Sequence, residues 1–538
     1  MAVQMNILAL PSEILLDILE QSLPYGFESL SLTCKRFYNL SRRLIPRHNS
    51  YRKKYRSFHL GTETVETVKE LLNDIAADPI IAEYIVHANL GGRSSLDDDD
   101  RPYTFPDGVP DAFSTLVTGS KHLAALNSDP GFSRDWLENI VEYTTLSNDD
   151  VDFPAAFLLT LLPNVESLAL PREWHIATAT GDHTKVWHRE TLNATNKSAS
   201  ALVSLLVMRA NDPNMSYQPL QKLHTINPTE NIDTEYETHM EMIFPFLALK
   251  SLRKVWHNAA QYKPSNDAYA AGHCAEFPTL GINVESMTLD DYAVSGKGAR
   301  VLFKDMHSLR ELNLEYITKE EIGASFNGME FLHHLQRQVG RCLEKLVFRF
   351  EDMSVYNTAV KSPLLGFKVL KHLEIDVALF VDNEPSADRY DFSDYEDDDD
   401  QDQGENEGEQ DGQENEAVGQ NGLPVIADYD MREYWGDLDI RERVFLRLIK
   451  HFPPSLETLV LNARARKRDC RFLEALFKRF DDRREASLPL LKTLRVNMTA
   501  VNNRYRNLED YQTYVDRAAN LFSRHPFVTF LPGQCSGF

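Results

Sequence analysis

Leu309-Arg310-Glu311-Leu312-Asn313-Leu314 has the form apolar-x-x-apolar-x-apolar, and the expected architecture of this 538-residue chain follows from it. In an extended strand alternate side chains face opposite sides, so Leu312 and Leu314 point one way while Asn313 and Glu315 point the other. The sextet returns at residues 165–170, 284–289, 343–348, 370–375, 456–461 and 491–496, at 252–257 with a polar last place, and more weakly at 220–225. Measured at the second apolar place, successive copies from Val255 to Leu373, and again from Leu459 to Leu494, stand 25 to 35 residues apart. A period of that size marks stacked strand-containing units. Only the step from Leu373 to Leu459 is longer.

Between the sextets, residues 329–339 place Phe331, Leu332, Leu335 and Val339 at helical spacing, which suits a helix returning the chain for a parallel strand. Strand and helix in alternation predict an α/β fold with a parallel sheet. The pattern resembles the irregular, long-repeat form of the leucine-rich-repeat horseshoe over roughly residues 153–498. It departs from that consensus where Ile317 and Ala378 occupy the place of an asparagine. An ordinary α/β domain whose strands begin Leu-x-x-Leu is the competing account. If the register holds, a bound target would meet Trp256, Asp290, Asn313, Glu315, Arg349, Glu374, Asp376, Asn462, Arg495 and Asn497. An exposed aromatic and arginines are good anchors, and a slip of one residue would turn all of them to the other face.

The N-terminus is organised differently. In Leu10-Pro-Ser-Glu-Ile-Leu-Leu-Asp-Ile-Leu19, Pro11 suits a first helical position and Glu13 lies near the positive end of the helix dipole. Ile14, Leu15, Ile18 and Leu19 then form one apolar stripe. After a break at Pro24 and Gly26, Leu30, Cys34, Phe37, Leu40 and Leu44 again recur at helical spacing, giving two or three short helices. About forty residues of this kind bury little surface by themselves, so a partner is expected to complete the core.

Two halves, Leu10-Pro11-x-Glu13-Ile14-Leu15 and Leu30-x-Leu32-x-Cys34-Lys35-Arg36-Phe37, resemble the F-box motif, with Phe37-Tyr38 where many members carry a tryptophan-containing pair. A helical hairpin packed on its own domain is the alternative. The resemblance implies binding to the Skp adaptor protein and, through it, to a cullin scaffold and a RING subunit. By motif match it makes Leu10, Pro11, Glu13, Ile14, Ile18, Leu19, Pro24, Leu30, Leu32, Cys34 and Phe37 the adaptor-facing or box-core residues.

Charge and composition bound the rest. The formal net charge is −24, and residues 391–416 alone hold fourteen acidic side chains and no Lys or Arg. The moderately acidic remainder argues against duplex nucleic acid, which needs clustered cations. No apolar run approaches the about twenty residues that span a bilayer, and no signal-peptide pattern opens the chain, so an intracellular protein of cytoplasm or nucleus is expected. Five scattered cysteines without a C-x-x-C pair suit reduced thiols. The expected organisation is an F-box at 1–50, a helical linker and the start of the repeat domain at 51–152, a repeat array at 153–500 interrupted by a disordered acidic insert at 385–422, and a capping segment at 501–538 with a helix over 508–522. The basic run 42–56 suits the solvated face of a helix leaving the box. Residues 80–86 could form a strand.

Nothing in the sequence supports catalysis. Ser295-Gly-Lys-Gly lacks a third glycine and the Walker ending, and reads as a loop. His333, His334 and His372 lack partners at metal-ligand spacing, and no nucleophile elbow appears. No cofactor is expected. The function expected is substrate recognition in a Skp–cullin–F-box ubiquitin ligase, without chemistry of its own; the alternative is an F-box and repeat scaffold unconnected with ubiquitylation.

Overall fold

The recurring sextets fold as strands in register. The computed structural model describes residues 7–60, 67–91, 108–142, 152–171, 189–228, 238–239, 243–258, 260–261, 279–290, 296–317, 328–351, 363–380, 452–464, 467–477, 480–499, 508–525 and 528–532. The expected disordered segment at 385–422 and the acidic run at 97–100 lie outside these residues.

The strands are β1 (Ser57–His59), β2 (His87–Asn89), β3 (Ser167–Ala169), β4 (Thr225–Asn227), β5 (Thr238–His239), β6 (Lys254–Asn258), β7 (Ala260–Gln261), β8 (Ser286–Asp290), β9 (Glu311–Ile317), β10 (Lys345–Glu351), β11 (His372–Asp376), β12 (Thr458–Arg464), β13 (Thr493–Thr499) and β14 (Val528–Pro532). Apart from the separate pair β5 and β7, they form one twelve-stranded sheet in which spatial order follows chain order. The pairings are parallel throughout.

One core column explains the assembly. Phe58, Ala88, Leu168, Ile226, Val255, Met287, Leu312, Leu346, Leu373, Leu459 and Leu494 stand side by side on successive strands. None is more than 4% exposed. Each fully buried large side chain is worth about 1.5–3 kcal/mol, so a column of them fixes the register of every pair. The step from Leu373 to Leu459 keeps this register despite its length.

Helices cover the inward face. Phe331, on the helix Gly328–Val339, stacks on Phe348 of β10 with ring centroids 5.2 Å apart. The short 3-10 turns Pro363–Gly366 and Val377–Phe380 flank β11. At the far end the helix Leu508–Phe522, foreseen at those residues, packs Phe522 against Phe530 of β14 at 5.3 Å.

The sheet begins at β1 and β2, inside the stretch 51–152 expected to start the repeat domain, and these three-residue strands carry too few apolar positions to show the sextet. Three expectations are corrected. The weak copy at 220–225 is out of frame by three: Ile226, not Leu223, pairs with Val255. Residues 80–84 form a helix, Ile80–Tyr84, and the strand comes after it at His87–Asn89. Gly296, Lys297 and Gly298, expected in a loop, open a helix, Gly296–Leu302.

Candidate functional site

The face of the sheet opposite the helices is polar. All-parallel sheets are usually covered on both faces and read as continuous apolar runs, whereas here β6 and β8 alternate buried with more exposed residues. Outward side chains from β6 to β11 line a groove of about 620 Å³ that includes Trp256, Asp290, Asn313, Glu315, Arg349 and Glu374. Six of the ten target-facing residues expected from sequence therefore meet in one place. Thr288, Lys345, Val347 and His372 also line it. They were missed, although Thr288, Val347 and His372 each lie two residues before an expected position and Lys345 four before Arg349, so all share that face.

Hydrogen bonds tie these residues across the strands. The Trp256 indole N–H donates to Asp290 at 2.6 Å, and Asn313 Nδ2 donates to Thr288 Oγ1 at 3.1 Å. Arg349 Nε donates to Glu374 Oε1 at 2.8 Å while its Nη1 lies 4.0 Å from Glu315. Asn462 Nδ2 donates to the same Glu374 oxygen at 3.0 Å, and Asn497 donates to Asn462 Oδ1 at 2.9 Å. Arg495, on the same strand as Asn497, is exposed. Burial would raise the Glu374 carboxyl, but its hydrogen bonds from Arg349 and Asn462 outweigh that and hold it below the ordinary range. Burial, with Lys345 nearby, lowers His372, so it is neutral at pH 7. The Glu374 bond in turn raises Arg349, which stays charged.

Asp376 is the exception and corrects the expectation. It is 6% exposed and does not face solvent. β11 ends there and turns into Val377–Phe380, leaving the end of the longer β10 without a strand partner on that side among the described residues. The Asp376 carboxylate replaces it by accepting the Phe350 N–H at 2.8 Å, and the Arg464 guanidinium donates to the Phe350 carbonyl at 2.8 Å. Burial pushes the Asp376 carboxyl up to about 7, helped by nearby Asp469 and opposed by the Phe350 N–H and Arg464.

At the other end of the chain stand three short helices, α1 (Ser12–Gln21), α2 (Phe27–Thr33) and α3 (Lys35–Ser41), succeeded by α4 (Ile45–Tyr55). Pro11 is the residue before α1, one position earlier than expected, and Cys34 separates α2 from α3. The Arg36 guanidinium donates to the carbonyls of Leu8 and Leu10, the latter at 2.9 Å, and so fixes the chain entering α1. Leu32 is 77% exposed and Ile14 44%, with Ile7 and Tyr38 also exposed.

Residues 7–49 match the F-box domain. No curated protein matches the chain. Within the F-box, Leu19 and Phe37 are buried and belong to its core, as do Leu15, Leu23 and Phe27. Leu10, Ile18, Leu30 and Cys34 are partly buried against that core, and Pro24 is half-buried. Pro11, Glu13, Ile14 and Leu32 remain exposed. The eleven motif positions thus divide between the two places expected of them, with Leu19 and Phe37 in the box core and Pro11, Glu13, Ile14 and Leu32 on the open surface.

The F-box is tied to the segment behind it. Through α4, the basic helix expected after the box, Arg52 pairs with Glu28 of α2 and Arg47 with Asp78. His48 Nδ1 lies 2.8 Å from the Tyr84 hydroxyl, and the Tyr51 and Tyr55 hydroxyls donate to Asp78 and Asp74 at 2.6 and 2.7 Å. Among the described residues no helix is long and apolar enough to cross a membrane, and no group of three His, Cys, Asp or Glu could hold a metal ion.

Proposed function

We propose that this chain is the substrate-recognition subunit of a Skp–cullin–F-box ubiquitin ligase, acting in cytoplasm or nucleus. The F-box binds the Skp adaptor and, through it, the cullin and its RING subunit. The long sheet serves as a leucine-rich-repeat-like solenoid whose open face holds the target. The observation that carries the adaptor role is the F-box match over residues 7–49 with apolar Ile14 and Leu32 left on its surface. F-box domains typically bind Skp proteins. The target role is supported by the groove and by an outward face of hydrogen-bonded polar side chains that continues across β11, β12 and β13.

The mechanism is positioning. Holding a target beside the conjugating enzyme raises the effective concentration of its lysines, and this chain breaks no bond itself. The contacts of α4 with Glu28, Asp74, Asp78 and Tyr84 give the box a set direction relative to the sheet.

The test is binding of the purified full chain to the Skp adaptor beside Ile14→Asp and Leu32→Asp. Tight binding by the parent and loss in both variants, with unchanged thermal unfolding, supports the assignment. A parent that fails to bind removes the ligase role.

A further inference from the structure

We infer that the groove takes a basic segment of the target, with one lysine or arginine side chain lying on the Trp256 ring beside the Asp290 carboxylate. This rests on the open face being the target site.

Trp256 is 48% exposed although it stands within a strand. Its only polar side-chain atom is spent on Asp290 at 2.6 Å, so the aromatic surface is left for a ligand. An aromatic ring beside a carboxylate attracts a cation through both the ring quadrupole and the charge.

The charges of the groove point the same way. Arg349 is occupied by Glu374 at 2.8 Å, with Glu315 at 4.0 Å. Asp290 forms no ion pair among the described residues; its hydrogen bond comes from a neutral indole. Asp290, Glu315 and Glu374 stand against Lys345 and Arg349, which leaves the groove one negative charge in excess, with His372 neutral. An anionic ligand could reach Lys345, which forms no ion pair among the described residues, but would meet Asp290, Glu315 and Glu374 around it, whereas a cation at Trp256 meets the Asp290 carboxylate outside any ion pair. The chain's net charge of −24, with fourteen acidic residues at 391–416 within the connection between β11 and β12, adds a long-range field that draws basic partners toward this molecule.

The probe is a fluorescein-labelled arginine-glycine repeat peptide, with a glutamate-glycine peptide of equal length, titrated with the full chain at physiological salt and read by anisotropy. The arginine peptide is expected to bind saturably and the glutamate peptide not. Trp256→Ala should weaken binding about threefold to thirtyfold, and Trp256→Phe should recover most of it. Asp290→Asn, which keeps an acceptor for the indole, should weaken it as well. Glu485→Gln, an exposed charge change outside the groove, should have no effect. Preference for the glutamate peptide, indifference to both Trp256→Ala and Asp290→Asn, or an equal loss in Glu485→Gln overturns the inference. The same preparations are bound to the Skp adaptor. A parent that binds adaptor but no arginine peptide overturns the basic-segment inference alone, while a parent that binds no adaptor overturns the wider assignment.

Discussion

Glu374 and Asp376 lie two residues apart on β11, and their carboxyls are shifted in opposite directions. Glu374 is held below the ordinary range by Arg349 and Asn462, despite the opposing effect of burial. Asp376 is pushed up to about 7 because burial outweighs the Phe350 N–H and Arg464. The difference comes from where the strand ends. Glu374 still has outward neighbours on β10 and β12, whereas Asp376 is enclosed as the chain turns into Val377–Phe380.

Asp376 makes stability depend on pH. Its folded value lies above the unfolded value of 3.8, so its contribution is full below about 4 and is lost as pH rises to about 7. Asp376→Asn keeps an acceptor for the Phe350 N–H and removes the titration. Urea unfolding between pH 4 and 8 should show the parent losing stability relative to the variant, by on the order of a few kcal/mol at most, with a plateau above about 7. Parallel curves would show that Asp376 does not titrate there. Glu374 has the opposite sign: its contribution is present above its unfolded value of 4.5 and is lost only as pH falls below it, so above that value the Asp376 effect is seen without it.

Arg349→Ala leaves the half-buried Glu374 carboxylate with Asn462 alone. A destabilisation of about 1–2 kcal/mol is expected, mostly from the carboxylate left short of donors and discounted for the solvent that reaches Arg349. Adding Glu374→Gln should recover part of it, because the charge needing compensation is gone. Urea midpoints of the two single variants and the double variant form the cycle that checks this, and strict additivity would rule out the coupling.

The sheet was legible in sequence wherever strands are long. Leu312, Leu346 and Leu373 announce themselves because a period of 2 within the strand coincides with a period of 25 to 35 between units. β1 and β2 were not legible, since Phe58 and Ala88 offer one buried position each in three-residue strands. The second place of each sextet held a signal that went unread. From Arg253 onward it runs Arg253, Glu285, Arg310, Glu344, Lys371, Glu457, Lys492, alternating in sign. The structure places these side by side, with Arg310 at 3.6 Å and Lys371 at 2.6 Å from Glu344, and Lys492 at 2.5 Å from Glu457. Exposed pairs stabilise little individually, but any slip of one unit would set like charges together. Asp376 was misplaced because strand alternation says nothing about where the strand stops.

Gly340 closes the turn after the helix Gly328–Val339. A Cβ there would stand 2.4 Å from the Gln336 carbonyl oxygen and 3.0 Å from that of Gly366, both backbone atoms that no rotamer change can move. Gly340 also accepts the Lys368 N–H at 2.8 Å, which links the turn to the approach of β11. Gly340→Ala should therefore cost about 1–3 kcal/mol by overpacking. The measurement is the thermal midpoint; a midpoint equal to the parent's would mean that the turn relaxes freely.

Arg36 is expected to act on adaptor affinity and not on the F-box core. Its guanidinium bridges the carbonyls of Leu8 and Leu10, and so holds Ile7 and Pro11 in place beside Ile14 at the start of α1. The bridge is exposed and is made to backbone carbonyls, not to the buried box residues Leu15, Leu19, Phe27 or Phe37. Arg36→Ala should leave thermal unfolding nearly unchanged and weaken adaptor binding by about 1 kcal/mol, roughly fivefold, because the N-terminal turn must be ordered on binding. Arg36→Lys should not rescue it, since a single ammonium does not reproduce the planar fork that reaches two carbonyls. Leu19→Ala is the contrast. It removes a side chain that is 0% exposed and should lower stability by about 2–5 kcal/mol. Calorimetric titration with the adaptor beside thermal melts separates the two, and equal loss of stability in Arg36→Ala and Leu19→Ala would place Arg36 within the box's structural core instead.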